Sequence, residues 1–256
     1  MARRGHAHVR IRPGRQRVAA LVACIALLVV VLPGQASALK YTPRGSVRAF
    51  SVFTMDDAPH VMGRWDPCRP IGYRVNRAQG GRGSIADVKK AVHRVSKATG
   101  LTFVYRGRTN RIPQARWANH AYPADTQLII AWIQPSQSTL WPQGSANTVA
   151  GRSGAWHVPA RDSAGRRWGR YDRGFLLLNA RLKFPAGFHA VGPSGSRGRE
   201  LMHELGHVVG LDHPAVGGQQ QIMYHLLTRK LAHWGRGDLA GLRIVGASGG
   251  CLRDLT

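Results

Sequence analysis

The spacing of apolar residues changes several times along the chain, and each change marks an element. Residues 18–32 form an unbroken apolar run. Residues 71–76 (Ile-Gly-Tyr-Arg-Val-Asn) alternate apolar and polar and predict a strand. A Gly80-Gly81-Arg82-Gly83 loop follows, and Ile85, Val88, Val92 and Val95 then recur at helical spacing until Gly100. Ser84 with Asp87 three residues on is a weaker form of the capping box at that helix start. Residues 101–106 predict a second strand. Residues 126–134, centred on Leu128, Ile129, Ile130, Ala131, Trp132 and Ile133, are nearly all apolar and predict a central strand covered on both faces. Residues 175–180 predict a further strand. Between these, residues 136–170 are rich in Gly, Ser and Trp and read as mostly irregular, with short edge segments at 148–150 and 155–158. Residues 185–197 form a Gly/Pro loop leading into a helix from about Arg199, and residues 39–67 are poorly periodic.

Charge changes the reading of the N-terminus. Residues 1–17 carry six arginines and no acid, the apolar run follows, Pro33-Gly34 breaks it, and Ala36-Ser37-Ala38 has the A-x-A form of a cleavage site. That three-part order predicts a secretory signal over residues 1–38. Residues 39–67 are then a linker, a pro-segment or an arm packed on the domain, and residues 68–256 are the folded domain. The apolar run falls short of the roughly 20 residues a membrane helix needs, an uncleaved anchor being the alternative. Cys24, in mid-run, does not resemble a lipidation site.

The formal net charge is +25, and removing the six leader arginines leaves +19. Such a balance can indicate nucleic acid. Here the basic residues are scattered and the chain reads as exported, so a solvated Arg-rich surface or retention on an anionic cell envelope fits better. No specific nucleic-acid partner is expected, and a monomer is favoured. Export also bears on the cysteines. Cys68 and Cys251 are the two outside the leader, and an even pair in an oxidising compartment predicts one disulfide. Closing so long a loop contributes at most roughly 4–5 kcal/mol in the chain-entropy model. The alternative, thiol ligation of a metal, lacks a second Cys or His at ligand spacing.

One run concentrates chemistry. His203-Glu204-Leu205-Gly206-His207-Val208-Val209-Gly210-Leu211-Asp212-His213 reads H-E-x-x-H-x-x-G-x-x-H. On a helix, residues four apart share a face, so His203 and His207 can aim two imidazoles at one ion. Glu204 sits beside the first histidine, within reach of a water at that ion without ligating it. Gly210 can enter the left-handed conformation that ends helices, and the returning chain brings His213 in as third ligand. Three neutral histidines leave a fourth zinc position open, the catalytic rather than the structural pattern. The chain's only two glutamates, Glu200 and Glu204, both lie in this segment.

This run is the signature of the metzincin clan of zinc endopeptidases, which the chain resembles. Gln221-Ile222-Met223-Tyr224 resembles the clan's methionine turn in its matrixin form, and residues 238–246 resemble the matrixin C-terminal helix with its D-x-x-G-[IL] pattern. The likeness is residue for residue over about 200–246; upstream it rests on the order of elements. It implies an α+β metzincin (zincin-like) domain, a twisted mixed sheet with two long helices, a cleft, a Met-turn and a C-terminal helix. It also implies one catalytic Zn2+ on His203, His207 and His213, with Glu204 as general base. Met223 would be a packed floor under the metal, and Asp238 would brace the turn. An edge strand near 146–158 would pair antiparallel with a protein or peptide substrate.

Three departures from the matrixin pattern stand out. Pro214 follows the third histidine, as in serralysins, where matrixins usually have Ser. Gly237 replaces the first of two adjacent acids. No cysteine switch occurs, since Cys68 sits in Asp66-Pro67-Cys68-Arg69-Pro70, which leaves Asp56, Asp57 and His60 as the only candidate caps. Matrixins also carry structural zinc and calcium. His157, Asp162, Asp172 and His189 are available for such ions, but no two sit at a recognised spacing, so no second metal is assigned. Trp141, Trp156 and Trp168 fit loop packing as well as substrate contact, and residues 224–229 would form a pocket wall. The sequence thus predicts a secreted, extracellular zinc metalloendopeptidase. The rivals are a catalytically silent, basic envelope-binding module on the same fold, which would have no use for Glu204, and a nucleic-acid binder with structural zinc. Non-peptide hydrolysis of the deaminase or deacetylase type usually employs other ligand sets.

Overall fold

The structure is a computed structural model that describes residues 41–55, 58–116, 121–189, 195–226, 228 and 230–255. The leader at 1–38 and the candidate caps Asp56 and Asp57 lie outside the described residues. In chain order the elements are β1 (Ser51–Val52), β2 (Thr54–Met55), β3 (Ala58–Arg64), β4 (Ile71–Asn76), α1 (Ser84–Thr99), β5 (Phe103–Arg108) and β6 (Leu128–Ile133). They continue with β7 (Gly151–Asp162), β8 (Arg167–Asn179), α2 (Arg197–Val209), β9 (Leu211–Asp212), α3 (Arg236–Ile244) and β10 (Leu252–Asp254). The architecture is mixed α+β, built on one twisted mixed sheet with few helices.

The sheet runs β10-β7-β8-β6-β4-β5, and β3 adds a parallel pairing at the start of β8. β6 pairs in parallel with both β4 and β8, and every one of its residues is buried. Its period of two divides the core. Leu128, Ile130 and Trp132 join the main cluster with Val88, Val92 and Val95 of α1 and Leu201, Leu205 and Val208 of α2. Ala131 and Ile133 face the other way, into a smaller cluster with Trp141, Phe175 and Leu177.

Three expectations need correction. Residues 136–170 are not mostly irregular, because β7 is a twelve-residue strand paired antiparallel with thirteen-residue β8. The apolar alternation of β7 is confined to Trp156, Val158 and Ala160, and the strand is ordered along its length by pairing with β8. The connecting turn is closed by Asp162, which accepts from the Ala164 and Arg166 amides and from Trp168 Nε1. Second, the strand expected at 101–106 is shifted to Phe103–Arg108, with Leu101 buried ahead of it. Third, Ser84 does not cap α1. Gly83 occupies the cap position with no side-chain bond. Asp87 instead accepts from Arg197 Nε at 2.8 Å and from the Gly187 amide at 2.9 Å, tying α1 to the start of α2.

The described residues between 41 and 67 pack on the domain and hold the end of α2. Phe53 N donates to Gly210 O, and buried Trp65 donates from Nε1 to Val208 O at 2.8 Å. Cys68 and Cys251 form a disulfide with Cα atoms 5.4 Å apart, joining the residue that follows this segment to the one just before β10.

Candidate metal centre

α2 begins at Ser196, whose hydroxyl accepts from the Arg199 amide. Arg197, nearly buried, donates to Asp87 and to the carbonyls of Gly80 and Arg82, which fixes the helix against α1. Four residues apart on this anchored helix stand His203 and His207. α2 ends at Gly210, φ 115°, and β9 pairs with β1 to carry the chain back. His213 follows, its amide donating to Asp212 Oδ1 at 2.7 Å.

The Gly210 turn accepts no other residue easily. Its φ is in the left-handed region, and a Cβ there would lie 2.7 Å from Gly63 O. Strain of this kind costs about 1–3 kcal/mol. We expect Gly210→Ala to lower the melting temperature and to reduce bound zinc per chain, since His213 hangs from the turn. Unchanged zinc stoichiometry by elemental analysis would show that the turn does not set the third ligand.

The three imidazoles converge. His213 Nε2 lies 3.1 Å from His203 Nε2 and 3.1 Å from His207 Nε2. The opposite nitrogens assign the tautomers. His203 Nδ1 is 2.8 Å from Ile222 O, and His207 Nδ1 is 2.8 Å from Leu211 O. A carbonyl only accepts, so both Nδ1 atoms carry the proton and both Nε2 atoms present lone pairs. Burial, the first cause in each case, depresses the pKa of all three, that of His207 to about 4. His203 and His207 thus aim two lone pairs at His213 Nε2, an arrangement that a cation between the three rings would satisfy. Tetrahedral zinc with nitrogen ligands at about 2.05 Å requires N–N separations near 3.3 Å, close to those seen. The donor set therefore fits a zinc ion. The hydrogen-bonded carbonyls are the orienting partners such ligands usually have.

Glu204 is buried at one wall of a cleft of about 580 Å³ that also contains the three histidines. Its Oε2 accepts from Ser153 Oγ at 2.6 Å, the opening residues of β7 forming the facing wall. Gly151 makes that approach possible, for a Cβ there would lie 2.6 Å from the Glu204 carboxylate. Burial pushes the Glu204 carboxyl upward, while the Ser153 bond opposes the shift. Glu200, one helical turn earlier, shares a hydrogen bond with Glu204 and is itself pushed well up, first by burial and then by the Glu204 charge. On the peptidase reading proposed below, Ser153→Ala should lower kcat about tenfold, the size of a lost hydrogen bond to a charged group, with metal content unchanged. Full kcat in that variant would show that the hydroxyl does not hold the carboxylate in place.

The turn around Met223 closes the floor. Met223 is buried, with Sδ resting where a Cβ on Gly206 would be. Asp238, wholly buried at the start of α3, accepts from Ile222 N at 2.6 Å, Gly235 N at 2.8 Å and Met223 N at 3.2 Å. Burial lifts its carboxyl to about 6 against those bonds. Arg199 donates to the carbonyls of Gln221 and Leu231 and lies near enough to attract Asp238.

The remaining candidates fall elsewhere. His60 is exposed on β3, and Asp162 is consumed by its turn. Trp141 and Trp168 are buried in the two smaller cores, while Trp156 packs on Phe175 and Tyr122; none lines the cleft. Tyr224, His225 and Leu226 do line it, whereas Leu227 and Arg229 lie outside the described residues. Ser153, Gly151, Arg197 and Glu200 were not legible as site residues, and only the isolation of two glutamates within one helix hinted at the last.

No family model matches the chain, and no curated protein matches it. Among solved structures it is similar to high choriolytic enzyme 1, a hatching enzyme zinc-protease from Oryzias latipes (medaka fish). The identity is 14%, the TM-score 0.27, and the match covers 64% of this chain and 55% of that one. The chain thus matches about half the length of that protein. A TM-score of 0.27 is too low to carry functional weight, so function rests on the site's own residues.

Proposed function

We propose that this chain is a secreted, zinc-dependent endopeptidase of matrixin-like metzincin type. The observation that carries the proposal is the convergence of three imidazole nitrogens beside one buried glutamate. A metal ion between the rings accounts for the first, and proton transfer gives the second a use. A zinc ion held by His203, His207 and His213 would supply Lewis acidity and bring the pKa of water near 7.

The chain's own groups do the rest. Glu204 takes the proton of the attacking water and returns it to the leaving amine. Its raised pKa suits both halves of that task, because a carboxyl poised near neutral pH can accept and then donate. Ser153 holds the carboxylate from across the cleft. β10 covers β7 only at residues 160–162, so the stretch of β7 beginning at Gly151 has an edge free of strand pairing among the described residues. A peptide adding to that edge as an antiparallel strand would lie along the cleft wall opposite α2. The net positive charge, +19 beyond the leader, would keep the exported protein near anionic surfaces.

The test is mass spectrometry of peptides from a mixed protein digest incubated with the chain lacking residues 1–38, with and without a zinc chelator. New internal cleavages that vanish with chelator and return with zinc are expected. No zinc-dependent cleavage in a preparation holding one zinc per chain would overturn the proposal.

A further inference from the structure

The mechanism above does not use Glu200. It is 2% exposed, yet it lines the cleft, and its Oε2 has no hydrogen-bond partner. Buried carboxyl oxygens almost always find a partner, and an orphan in a cleft marks a group kept for something that arrives. Bracing Glu204 does not account for it. Ser153 already holds that carboxylate, and the free atom is the oxygen left over.

We infer that Glu200 determines specificity, its free oxygen accepting from the basic side chain of a substrate residue next to the scissile bond. The placement supports this. Glu200 precedes Glu204 by four residues of α2, about 6 Å along the helix axis. That is the reach of a lysine or arginine side chain whose backbone lies over Glu204. Of the other charged groups that line the cleft, exposed Arg152 stands on the facing strand β7 and acts on Glu204, and two on this side are committed. Arg199 donates to the carbonyls of Gln221 and Leu231, and Asp212 accepts from the His213 amide. A cationic donor would therefore meet one unmet acceptor, and a charge-assisted bond there would be roughly twice as strong as a neutral one. A neutral apolar side chain would leave the oxygen stranded, and such a site discriminates strongly against a ligand that lacks the donor.

The inference rests on the peptidase reading for the nature of its ligand, so binding and cleavage are measured separately. The probes are fluorescein-labelled octapeptides carrying at each position in turn either lysine or the uncharged norleucine. Binding to the zinc-loaded Glu204→Gln variant is read by fluorescence anisotropy. At one position lysine should bind at least tenfold tighter than norleucine. Adding Glu200→Leu should reduce that ratio below twofold, and the isosteric Glu200→Gln should reduce it at least threefold while preserving shape. Lysine preference at no position, or a preference unchanged by both substitutions, would overturn the assignment. Cleavage of the same peptides by the unsubstituted protein is followed in parallel. Glu200-dependent lysine preference without any cleavage would leave the inference standing and remove the peptidase reading; cleavage without lysine preference would do the reverse.

Discussion

Glu204→Gln should retain its zinc and lose nearly all peptide cleavage, kcat falling about 10²- to 10⁴-fold, the range a positioned general base contributes. The substitution changes little else. Gln keeps an acceptor for the Ser153 hydroxyl, which sits 2.6 Å from Glu204 Oε2. The three histidines are oriented by Ile222 O, by Leu211 O and by the turn at Gly210, none of which touches residue 204. What disappears is the capacity to take and return a proton. The sign of the accompanying stability change follows from the burial. Glu204 has a folded pKa above its unfolded value, so its charge at neutral pH costs stability that is recovered only as pH falls. An uncharged isostere avoids that cost, and the variant should melt no lower than the parent. Elemental zinc analysis, steady-state kinetics on one peptide and calorimetry give the three readouts. Full activity in a zinc-loaded Gln variant would end the general-base role.

The parts legible in the sequence are those whose signal is local. β6 announces itself by a run of apolar residues because both its faces are covered. α1 shows through Val88, Val92 and Val95, and the ends of α2 through Gly210 and the histidine spacing. The meeting of the three histidines is legible for the same reason, two of them lying on one helical face and the third three residues past a glycine. What was not legible depends on contacts between distant segments. β7 is half-exposed and bonded to β8, so its alternation is too weak to distinguish a long strand from two short ones. Ser153 and Gly151 meet Glu204 only because that strand crosses the helix. Asp87 resembles a capping residue, yet its carboxylate is used 110 residues away by Arg197. The described residues between 41 and 67 lack a readable period because only scattered positions, Met55, Ala58, Val61 and Trp65, reach the main core from short strands.

Asp238→Ala should cost the largest share of stability of any single change near the site. The carboxylate accepts from three backbone amides, those of Ile222, Met223 and Gly235, and no water-filled space replaces it, because the residue is fully buried. Each stranded buried donor costs about 1–3 kcal/mol, and partial relaxation brings the sum to about 3 kcal/mol or more. For a fold of this size that is a fall in melting temperature of roughly 6–12 °C. The damage extends to the metal, since Ile222 both donates to Asp238 and accepts from His203 Nδ1. A loosened turn frees that ring, and loss of such orienting contacts usually weakens metal affinity about 10- to 100-fold. Asp238→Asn separates charge from hydrogen bonding. Burial raises the Asp238 carboxyl to about 6, above the ordinary 3.8, so this group favours the folded state more as pH falls from about 6 towards 4. Its charge at neutral pH is therefore a cost, offset in part by Arg199, and the lone pairs are what hold the turn. Asn keeps an acceptor oxygen for two of the three amides and should lose less than half of what Ala loses. Equal losses in the two variants would mean that attraction between Asp238 and Arg199, rather than the three amide bonds, secures the floor beneath the histidines.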